Sequence, residues 1–517
     1  MKKIFTLLFI LSLFAGYATA VQETARIDLT NHYGVIDYVY GFQGTRRVET
    51  TSTDIQELIR PMGSLFRVWL DTSTFPDTFN STPLKGNWIN GTAACGAYNF
   101  TDADAQVGTV LKLGMTPMIS VTSAPDCMKR EDPKGGTSRF QNPPRNYDEF
   151  ANYSREVVYR YYADCLNDGN MNYTNSTNEM ETVSCGTFSN WILEIWNEPT
   201  NHATWGGTNY SGLYANVTRK VRDNGTGIKI STAGDYPDIY NGAGQTQAAF
   251  INTFYSYILP QDEPDIFGLH AYGNKLGIAN DTVGNSSFLR NVSDRYGVTS
   301  VLSNFTQTIK GNQQNVSVYN CEYNIDFRTG ARSLMQSPYT ATWQLNVLYQ
   351  LGLTNVTGDC PFYGTANSSM TSDDLGYWNQ SQGTSPPVAR PVWYARKSYV
   401  ASFQNGSNVS YATTSKNYVL AKSTDTQIMV INNNETALQV NVTIDATANL
   451  TSFVAENGTT YNAYSNSTSQ WVVLDLAAWD GEFYNMTFQT PTQPSQSYRF
   501  GLGSSPVYLG SNTITLG

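Results

Sequence analysis

The stretch Trp191-Ile192-Leu193-Glu194-Ile195-Trp196-Asn197-Glu198-Pro199 decides how the rest of this chain is interpreted. It begins as an apolar run rich in Ile and Trp, which favour a buried strand. It ends at Pro199, which cannot donate a ladder hydrogen bond and therefore stops the strand. A buried strand that delivers an amide and a carboxylate at its C-terminal end is typical of the active-site rim of a (β/α)8 barrel. The alternative interpretation is a structural strand whose polar end is only a turn.

Seven further strand-like segments alternate with helical ones up to about residue 398. This alternation predicts an α/β fold, a (β/α)8 TIM barrel with parallel strands. The eight predicted barrel strands are 35–44, 65–71, 116–122, 191–198, 228–233, 266–272, 316–322 and 355–362.

The pattern changes near Tyr399, after which short alternating runs predict a C-terminal antiparallel β-sandwich. We therefore expect a signal peptide over 1–20, the barrel over 21–398 and the sandwich over 399–517. Residues 25–29 form a strand that precedes the first barrel strand and has no partner in a barrel. We expect the 21–30 segment to join the edge of the sandwich.

Composition limits the kinds of molecule that this protein is expected to bind. The net charge is −10, so neither nucleic acid nor an anionic membrane is expected as a partner. Aromatic residues make up 13% of the chain and 34 of them are Tyr, whereas charged residues make up only 14%. Such a chain packs as a globular protein. Its Tyr and Trp suit a large core and, equally, a carbohydrate ligand, since sugar faces carry C–H groups that pack on aromatic rings.

The first twenty residues have the pattern of a secretory signal. Met1-Lys2-Lys3 is followed by an apolar run and by Ala18-Thr19-Ala20, a small-residue cleavage site. Asn-X-Ser/Thr sequons are dense along the chain, among them Asn355 and Asn441. We expect a secreted or lumenal glycoprotein; the oligomeric state is left open.

The Trp-Asn-Glu-Pro motif at 196–199 resembles the fourth barrel strand of clan A glycoside hydrolases. In that clan the Glu of Asn-Glu-Pro is the general acid/base, so the resemblance implies this role for Glu198. Glu194, four residues earlier and deeper in the barrel, is predicted to be structural.

A second carboxylate, Glu322, lies at the end of the seventh predicted strand. Glycoside hydrolysis needs two carboxyl groups that flank one bond, and retaining enzymes place them about 5–5.5 Å apart. The ends of strands four and seven face each other across one rim, so Glu322 is the predicted nucleophile.

Other polar and aromatic side chains complete the predicted site. Asn197 is expected to bind the sugar 2-hydroxyl, and Arg67 to hold the nucleophile ionised through charge-assisted hydrogen bonds. His270 and Tyr272 lie two residues apart and therefore point to the same side of their strand. Each of these has a structural alternative, as a turn, salt-bridge or core residue. Weaker candidates in the rim loops are Trp69, Asp71, His202, Trp205, Tyr323 and Trp378, of which Trp378 is assigned to substrate binding.

Within clan A the chain looks most like family 39, the family of β-xylosidases and α-L-iduronidases. The likeness rests on the motif at 195–199, on Trp205-Gly206-Gly207-Thr208, on His270-Ala271-Tyr272-Gly273 and on Arg390-Pro391-Val392-Trp393. One departure is Asn320-Cys321-Glu322-Tyr323, where the family usually has Thr-Glu. Families 5, 30, 51 and 79 share the two-carboxylate motif.

The resemblance implies a retaining O-glycoside hydrolase without metal or organic cofactor. It leaves the sugar, the linkage and exo or endo cleavage open. The alternatives are an endo-glycanase or a β-glucuronidase or heparanase-like member of the clan. A non-catalytic carbohydrate-binding or wall protein on a degenerate barrel is the rival class.

Six cysteines follow the signal segment, with no Cys-x-x-Cys and only three His in the chain. A zinc site is therefore not expected, and disulfides are. Strand alternation directs Cys321 away from Glu322, toward the outer helices. Six cysteines allow fifteen pairings, and the sequence leaves the choice open. The first hypothesis is pairing in sequence order, which joins Cys95 to Cys127, Cys165 to Cys185, and Cys321 to Cys360.

Overall fold

The computed structural model describes most of the chain. The described residues are 22–44, 53–70, 100–122, 124, 128, 143–144, 146–175, 177–199, 207–234, 247–270, 300–324, 338–363, 366–367, 377–380, 387–434, 436–466, 469–489, 498–502 and 505–509. The predicted signal peptide, Cys95, Cys127 and Tyr272 lie outside them, as do Asp71, His202 and Trp205.

The first part of the chain alternates strands and helices. In chain order the elements are β1 (Gln22–Asp28), β2 (Gly34–Val35), β3 (Val39–Gly44), α1 (Thr53–Ile59), β4 (Leu65–Trp69), α2 (Thr101–Lys112), β5 (Thr116–Val121), α3 (Tyr147–Asp168), β6 (Asn170–Thr174), β7 (Met180–Ser184), β8 (Ile192–Ile195), α4 (Gly207–Arg222), β9 (Lys229–Thr232), α5 (Gln247–Tyr257), β10 (Ile266–His270), α6 (Ser300–Asn312), β11 (Ser317–Tyr323), α7 (Pro338–Leu351), β12 (Gly358–Tyr363), β13 (Ala366–Asn367), β14 (Trp378–Gln380), β15 (Val388–Ala389) and α8 (Pro391–Ser402).

Eight of these strands close into a barrel in the order β3-β4-β5-β8-β9-β10-β11-β12, and β12 pairs back to β3. Every neighbouring pair in the barrel is parallel. The predicted TIM barrel is confirmed. Because parallel strands present their carboxyl ends at one rim, residues at the ends of these strands meet there.

Side chains of the barrel strands fill two separate regions. The larger cluster lies between the strands and the helices and includes Leu193, Ile195 and Trp196. A smaller cluster, drawn from six strands, fills the interior of the barrel. Its members are Leu65, Met118, Ile192, Ile266, Tyr319, Cys321 and Cys360. Ile192 and Leu193 thus point to opposite sides, as strand alternation requires.

The polar insertion after α3 is a hairpin. Asn146 caps the start of α3 by accepting hydrogen bonds from the backbone N–H groups of Asp148 and Glu149. Gly169 ends the helix with φ 72°, a left-handed conformation that glycine adopts without a side-chain clash. Strands β6 and β7 then pair as a hairpin, and the predicted Cys165–Cys185 disulfide is confirmed, with a Cα–Cα distance of 5.7 Å.

The chain after α8 forms strands alone among the residues that the structure describes. They are β16 (Asn408–Tyr411), β17 (Thr413–Thr414), β18 (Val419–Ser423), β19 (Gln427–Asn432), β20 (Leu438–Asp445), β21 (Asn449–Ala455), β22 (Thr460–Tyr461), β23 (Ala463–Ser465), β24 (Gln470–Leu476), β25 (Asp480–Gln489), β26 (Tyr498–Leu502) and β27 (Ser505–Leu509).

Two sheets make up the C-terminal sandwich. A seven-stranded sheet has the order β2-β16-β18-β19-β25-β21-β22, and a five-stranded sheet has the order β17-β1-β20-β24-β23. Their facing sides share one apolar core. Helix α8 runs across residue 399, where the domain boundary was predicted, and the first sandwich strand after it begins at Asn408.

Strand β1 lies inside the five-stranded sheet, between β17 and β20. Its pairing with β20 is parallel over seven residues, from Gln22 opposite Gln439 to Asp28 opposite Asp445. The predicted C-terminal antiparallel β-sandwich is confirmed, since every other described strand pair in the two sheets is antiparallel. The parallel pair arises because β1 comes from the other end of the chain, so no hairpin turn fixes its direction.

Within the described residues, no helix combines the length and apolar character needed to cross a membrane.

Candidate active site

Predicted site residues from four barrel strands converge at the rim. Arg67 lies on β4, His270 ends β10, Glu322 lies on β11, and Asn197 and Glu198 directly follow β8. All five side chains are buried or nearly so, with Glu198 8% and Glu322 6% exposed. The two carboxylates therefore keep limited access from the barrel mouth.

Arg67 is the centre of the hydrogen-bond network. Its Nε donates to Glu194 Oε2 at 2.6 Å, and its Nη1 donates to Glu322 Oε2 at 3.0 Å. Nη1 also donates to Gln43 Oε1 at 2.7 Å, and Nη2 donates to Asn197 Oδ1 at 3.0 Å. Burial alone would lower the pKa of Arg67, but the charges of Glu194 and Glu322 outweigh it and hold the pKa above its ordinary value.

Glu194 is the structural partner in this network. It is fully buried below the rim and also accepts a hydrogen bond from the backbone N–H of Gly234 at 3.2 Å. An ionised carboxylate in such a place needs charged or N–H partners, and Arg67 and Gly234 supply them. Its position agrees with the structural role predicted from the sequence.

His270 connects the two predicted catalytic carboxylates. Its Nδ1 lies 2.8 Å from Glu198 Oε1, and its Nε2 lies 3.8 Å from Glu322 Oε2. One ligand atom from each of Glu198, His270 and Glu322 lies within 4.8 Å of the other two. The two carboxylates are thus close enough for one small group in the barrel mouth to contact both.

The same three side chains could serve as metal ligands by residue type. Arg67, however, places a permanent positive charge 3.0 Å from Glu322. This charge opposes a second cation at the same carboxylate. The arrangement therefore suits acid, base and nucleophile chemistry better than ion binding.

The backbone after β8 is in an unusual conformation. Trp196 has φ 77° and Glu198 has φ 46°, values in the left-handed region that non-glycine residues rarely adopt. Regular alternation would send Asn197 and Glu198 to opposite sides. The left-handed residues instead bring Asn197 to Arg67 and Glu198 to His270, while Trp196 packs outward on Phe150 with a ring-centroid distance of 5.5 Å.

On β11, a β-bulge changes the direction in which a side chain of the predicted site points. Leu269 pairs with Asn320, but the next residue of β10, His270, pairs with Glu322. On the other side of β11, three residue steps from Asn320 to Tyr323 oppose two steps from Asp359 to Pro361. The extra residue resets the alternation, so both Cys321 and Glu322 face the barrel interior.

The bulge overturns two predictions about cysteine. Cys321 faces the barrel interior, not the outer helices. Cys321 and Cys360 are both buried free thiols, so the predicted disulfide between them is wrong. They take part in apolar packing below Arg67, and burial raises the pKa of the Cys321 thiol well above its usual range.

The structure places Trp378 in the core instead of an open rim. Its side chain is fully buried and packs 6.0 Å from Phe42, on the helix side of the barrel. Phe42 and Gln43 are consecutive on β3 and point to opposite sides, so Trp378 contacts the side of β3 opposite to Gln43. Trp378 begins the short strand β14 and pairs with Ala389, where the sequence predicts a rim loop.

Two residues of the site were missed by sequence reasoning. Gln43 ends the first barrel strand and binds Arg67, and a polar residue at that place is the signal that could have found it. Gly234 follows β9. A Cβ atom there would lie 2.0 Å from His270 Nε2, so only glycine leaves room for the imidazole. The Gly234 carbonyl also accepts from the backbone N–H of Glu198 at 3.0 Å.

A second buried ion pair supports the strand that carries Glu322. Arg396 on α8 donates to Asp359 of β12 at 2.8 and 3.0 Å. Tyr323, the residue after Glu322, donates its hydroxyl to Asp359 at 2.5 Å. Tyr323 therefore anchors the outer side of β11 and does not line the rim.

Comparisons of the structure with solved proteins reveal related architectures. A monomeric β-xylosidase from Caulobacter crescentus superposes with a TM-score of 0.59 at 14% identity, over 90% of this chain and 99% of that one. A glucosidase from Croceicoccus marinus gives 0.60 at 15% identity, over 91% and 100%. A family 30 xylanase C catalytic domain from Talaromyces cellulolyticus gives 0.51 at 14% identity, over 90% and 100%.

What is shared is the fold. It covers nearly the whole of these enzymes, so barrel and sandwich correspond together. No protein-family model matches the chain. No curated protein matches it either.

Proposed function

We propose that this chain is a retaining glycoside hydrolase that cleaves O-glycosidic bonds in a polysaccharide, oligosaccharide or small glycoside. The observation that carries the proposal is the close approach of Glu198 and Glu322, with His270 between them and Arg67 bound to Glu322. Two carboxylates at this separation suit double displacement. The folds of a β-xylosidase, a glucosidase and a xylanase support the same class.

In the proposed reaction Glu322 attacks the anomeric carbon and forms a glycosyl-enzyme. Glu198 gives its proton to the leaving oxygen as that bond breaks, and then takes a proton from the water that releases the sugar. Arg67 neutralises the charge of Glu322 and orients its carboxylate. Asn197, held by Arg67 through its Oδ1, keeps its amide N–H groups for the sugar 2-hydroxyl. The proposed reaction uses only protein side chains and water.

We also propose that the protein is secreted or lumenal. The signal-like first twenty residues and the sequons support this, and so does the Cys165–Cys185 disulfide, because disulfides persist in oxidising compartments. A β-xyloside is the first substrate to test, since structures named as β-xylosidases share the fold.

The first prediction tests the two carboxylates. On a panel of aryl xylosides, glucosides, arabinofuranosides and glucuronides, Glu322→Ala should abolish turnover while its circular dichroism is unchanged. Glu198→Ala should keep activity on aryl glycosides with good leaving groups, and added azide should raise it, because azide needs no general base. NMR of the first product should show retention at the anomeric carbon.

Two controls sharpen this test. Glu57→Gln changes an exposed carboxylate far from the barrel mouth and should leave kcat/KM unchanged. A 2-deoxy-2-fluoro glycoside should trap a covalent adduct, which mass spectrometry should locate on the peptide that carries Glu322. Wild-type turnover in Glu322→Ala, or an inverted product, would overturn the assignment.

A further inference from the structure

The five-stranded sheet of the sandwich buries one face and exposes the other. Ala25, Ile27 and Val442 point into the core and have no exposed surface. The alternate residues of β1, β20 and β24 are exposed or half-buried, as the burial patterns of these strands show. The outward residues therefore decide what this face can bind.

A single transverse row of outward side chains crosses the sheet in register. Arg26 of β1 pairs with Thr443 of β20, Thr443 pairs with Trp471 of β24, and Trp471 pairs with Tyr464 of β23. On the other side of β1, Arg26 pairs with Thr413. Paired residues lie side by side at the strand spacing. The backbone positions of Arg26 and Tyr464, three spacings apart, are therefore separated by about 14 Å.

The two aromatic residues at one end of the row stack on each other. The rings of Tyr464 and Trp471 are 6.0 Å apart between centroids and inclined by 22°. Tyr464 is 49% exposed, and all three residues of β23 are exposed. Isolated exposed rings are common on proteins, but here the half-buried Trp471 ring holds the exposed Tyr464 ring in one orientation at the edge of the sheet.

The other end of the row is polar. The Arg26 side chain is 68% exposed, and its Nε donates to Asp445 Oδ2 at 2.6 Å. Asp445 fixes the guanidinium over the sheet, where its outer N–H groups face solvent. In the strand register, Thr443 lies between Arg26 and Trp471. From Tyr464 to Arg26 the row thus runs from apolar ring faces to hydrogen-bonding groups.

We propose that this row, Tyr464–Trp471–Thr443–Arg26, is a second carbohydrate-binding surface that holds a glycan chain outside the barrel. Sugar rings carry C–H groups on their faces and hydroxyls at their edges, and the row offers partners for both in a straight line. Its length suits several linked sugar rings better than one. The proposal rests on the proposed function, since it assigns to the surface the substrate class of the barrel.

The surface and the catalytic rim use different residues on different domains. Binding on the sandwich would raise the local concentration of a polymeric substrate near the barrel, because the second contact is then intramolecular. A small aryl glycoside would gain nothing from it. This difference separates the two sites experimentally.

The test measures binding to insoluble xylan and to cellulose by depletion, with the full chain carrying Glu322→Gln so that the polymer is not consumed. Trp471→Ala and Tyr464→Ala should each weaken binding about tenfold, the effect expected for losing one aromatic stacking partner. Tyr257→Ala, which removes a still more exposed Tyr from helix α5, should bind like the parent. Thermal unfolding verifies that each variant folds. If Trp471→Ala is unstable, Tyr464→Ala, which removes an exposed side chain, tests the surface instead.

With Glu322 restored, Trp471→Ala should raise KM on xylan or β-glucan and leave kcat/KM on aryl glycosides unchanged. Unchanged binding in both variants, or no polysaccharide binding by the parent, would overturn the proposal. Asn441 occupies the same face within a sequon, so the assay is repeated after enzymatic removal of N-glycans. Binding that emerges only after deglycosylation would mean that the protein's own glycan takes the surface, and would also overturn it.

The two proposals fail separately. Absence of hydrolysis with every glycoside, together with binding that depends on Trp471, would reject the proposed enzyme and leave the surface. Hydrolysis with the expected loss in Glu322→Ala, together with unchanged binding in Trp471→Ala, would reject the surface and leave the enzyme.

Discussion

Arg67 shows how much of the site depends on one side chain. It has no exposed surface and contacts two carboxylates, Glu194 and Glu322, together with two side-chain amides. Each carboxylate is buried and would be costly to keep ionised without it. The guanidinium fork reaches all four partners at once, which a lysine ammonium could not do.

The second prediction concerns the stability that this residue provides. Arg67→Met should lower the free energy of unfolding by about 3–5 kcal/mol, the cost of leaving a buried charge without its partner. Urea denaturation measures it. The matched control is Arg60→Met, which breaks the exposed pair with Glu57 and should cost at most about 1 kcal/mol. An equal, small loss in both variants would contradict the central role of Arg67.

At the scale of single elements, two local departures from regular strand geometry build the site. The bulge in β11 turns Glu322 into the barrel, and the left-handed residues after β8 do the same for Glu198. A regular strand would present every second residue to the interior and could not place Cys321 and Glu322 there together. Irregularity at the rim is thus what makes the predicted nucleophile available.

The third prediction follows from the bulge. Cys321 and Cys360 should resist alkylation in the native protein, because both are fully buried and burial raises the pKa of each thiol, which leaves little reactive thiolate. Peptide mapping after alkylation in denaturant should find both modified. Cys165 and Cys185 provide the internal control and should react only after reduction. A disulfide-linked peptide containing Cys321 and Cys360 would contradict the structure.

The disulfide itself gives the fourth prediction. Cys165 and Cys185 are separated by 20 residues and enclose the β6–β7 hairpin. In the loop-entropy model, removing a bridge of this length costs about 3 kcal/mol of stability. The double change Cys165→Ala and Cys185→Ala should therefore lower the midpoint of urea unfolding. Activity should be retained, because the hairpin lies outside the barrel rim.

At the scale of the whole molecule, the two ends of the chain are tied into one sandwich. Strand β1 pairs with β20 over its full length, so the first described residues cannot fold without the C-terminal domain. Helix α8 joins the domains and reaches back to the barrel through Arg396 and Asp359. We infer that barrel and sandwich fold as a unit.

Lys422 is buried at the junction of the domains. It is 3% exposed, donates to the Tyr399 hydroxyl at 2.6 Å, and lies 4.7 Å from the ring centroid of Phe403. Burial lowers the pKa of this lysine from 10.5 to about 7. The unfolded chain therefore binds this proton more tightly than the folded protein does, and stability rises with pH between about 7 and 10.5.

The fifth prediction tests this sign. The quantity compared is the free energy of unfolding of Lys422→Met minus that of the parent. This difference should be larger at pH 7 than at pH 9.5, because at pH 7 the parent carries a desolvation cost that the methionine lacks. Urea unfolding of both proteins at the two pH values measures it. Lys397→Met, on an exposed part of α8, should differ from the parent by the same amount at both. A Lys422→Met difference that does not change with pH would show that the amine is not desolvated.

The amino-acid sequence by itself determined the barrel and the position of its polar residues. The order of the eight strands follows from local hydrophobic periodicity, which is present in each segment before any contact forms. The places of Glu198 and Glu322 follow from a general property of parallel sheets, namely that residues after the strands meet at one rim. Arg67, Asn197 and His270 were found by the same argument, and the structure brings all of them together. Their catalytic and binding roles stay predictions.

Only the tertiary structure decided the features that depend on pairing register between distant segments of the chain. The bulge that turns Glu322 inward beside Cys321 exists only against β10 and β12, and the direction of β1 is fixed only when it meets β20. The need for glycine at 234 arises from His270, which lies on the next strand of the barrel. Local periodicity cannot predict any of these features. Alternation describes the order of residues along one strand, whereas pairing determines which residues of two strands lie opposite each other.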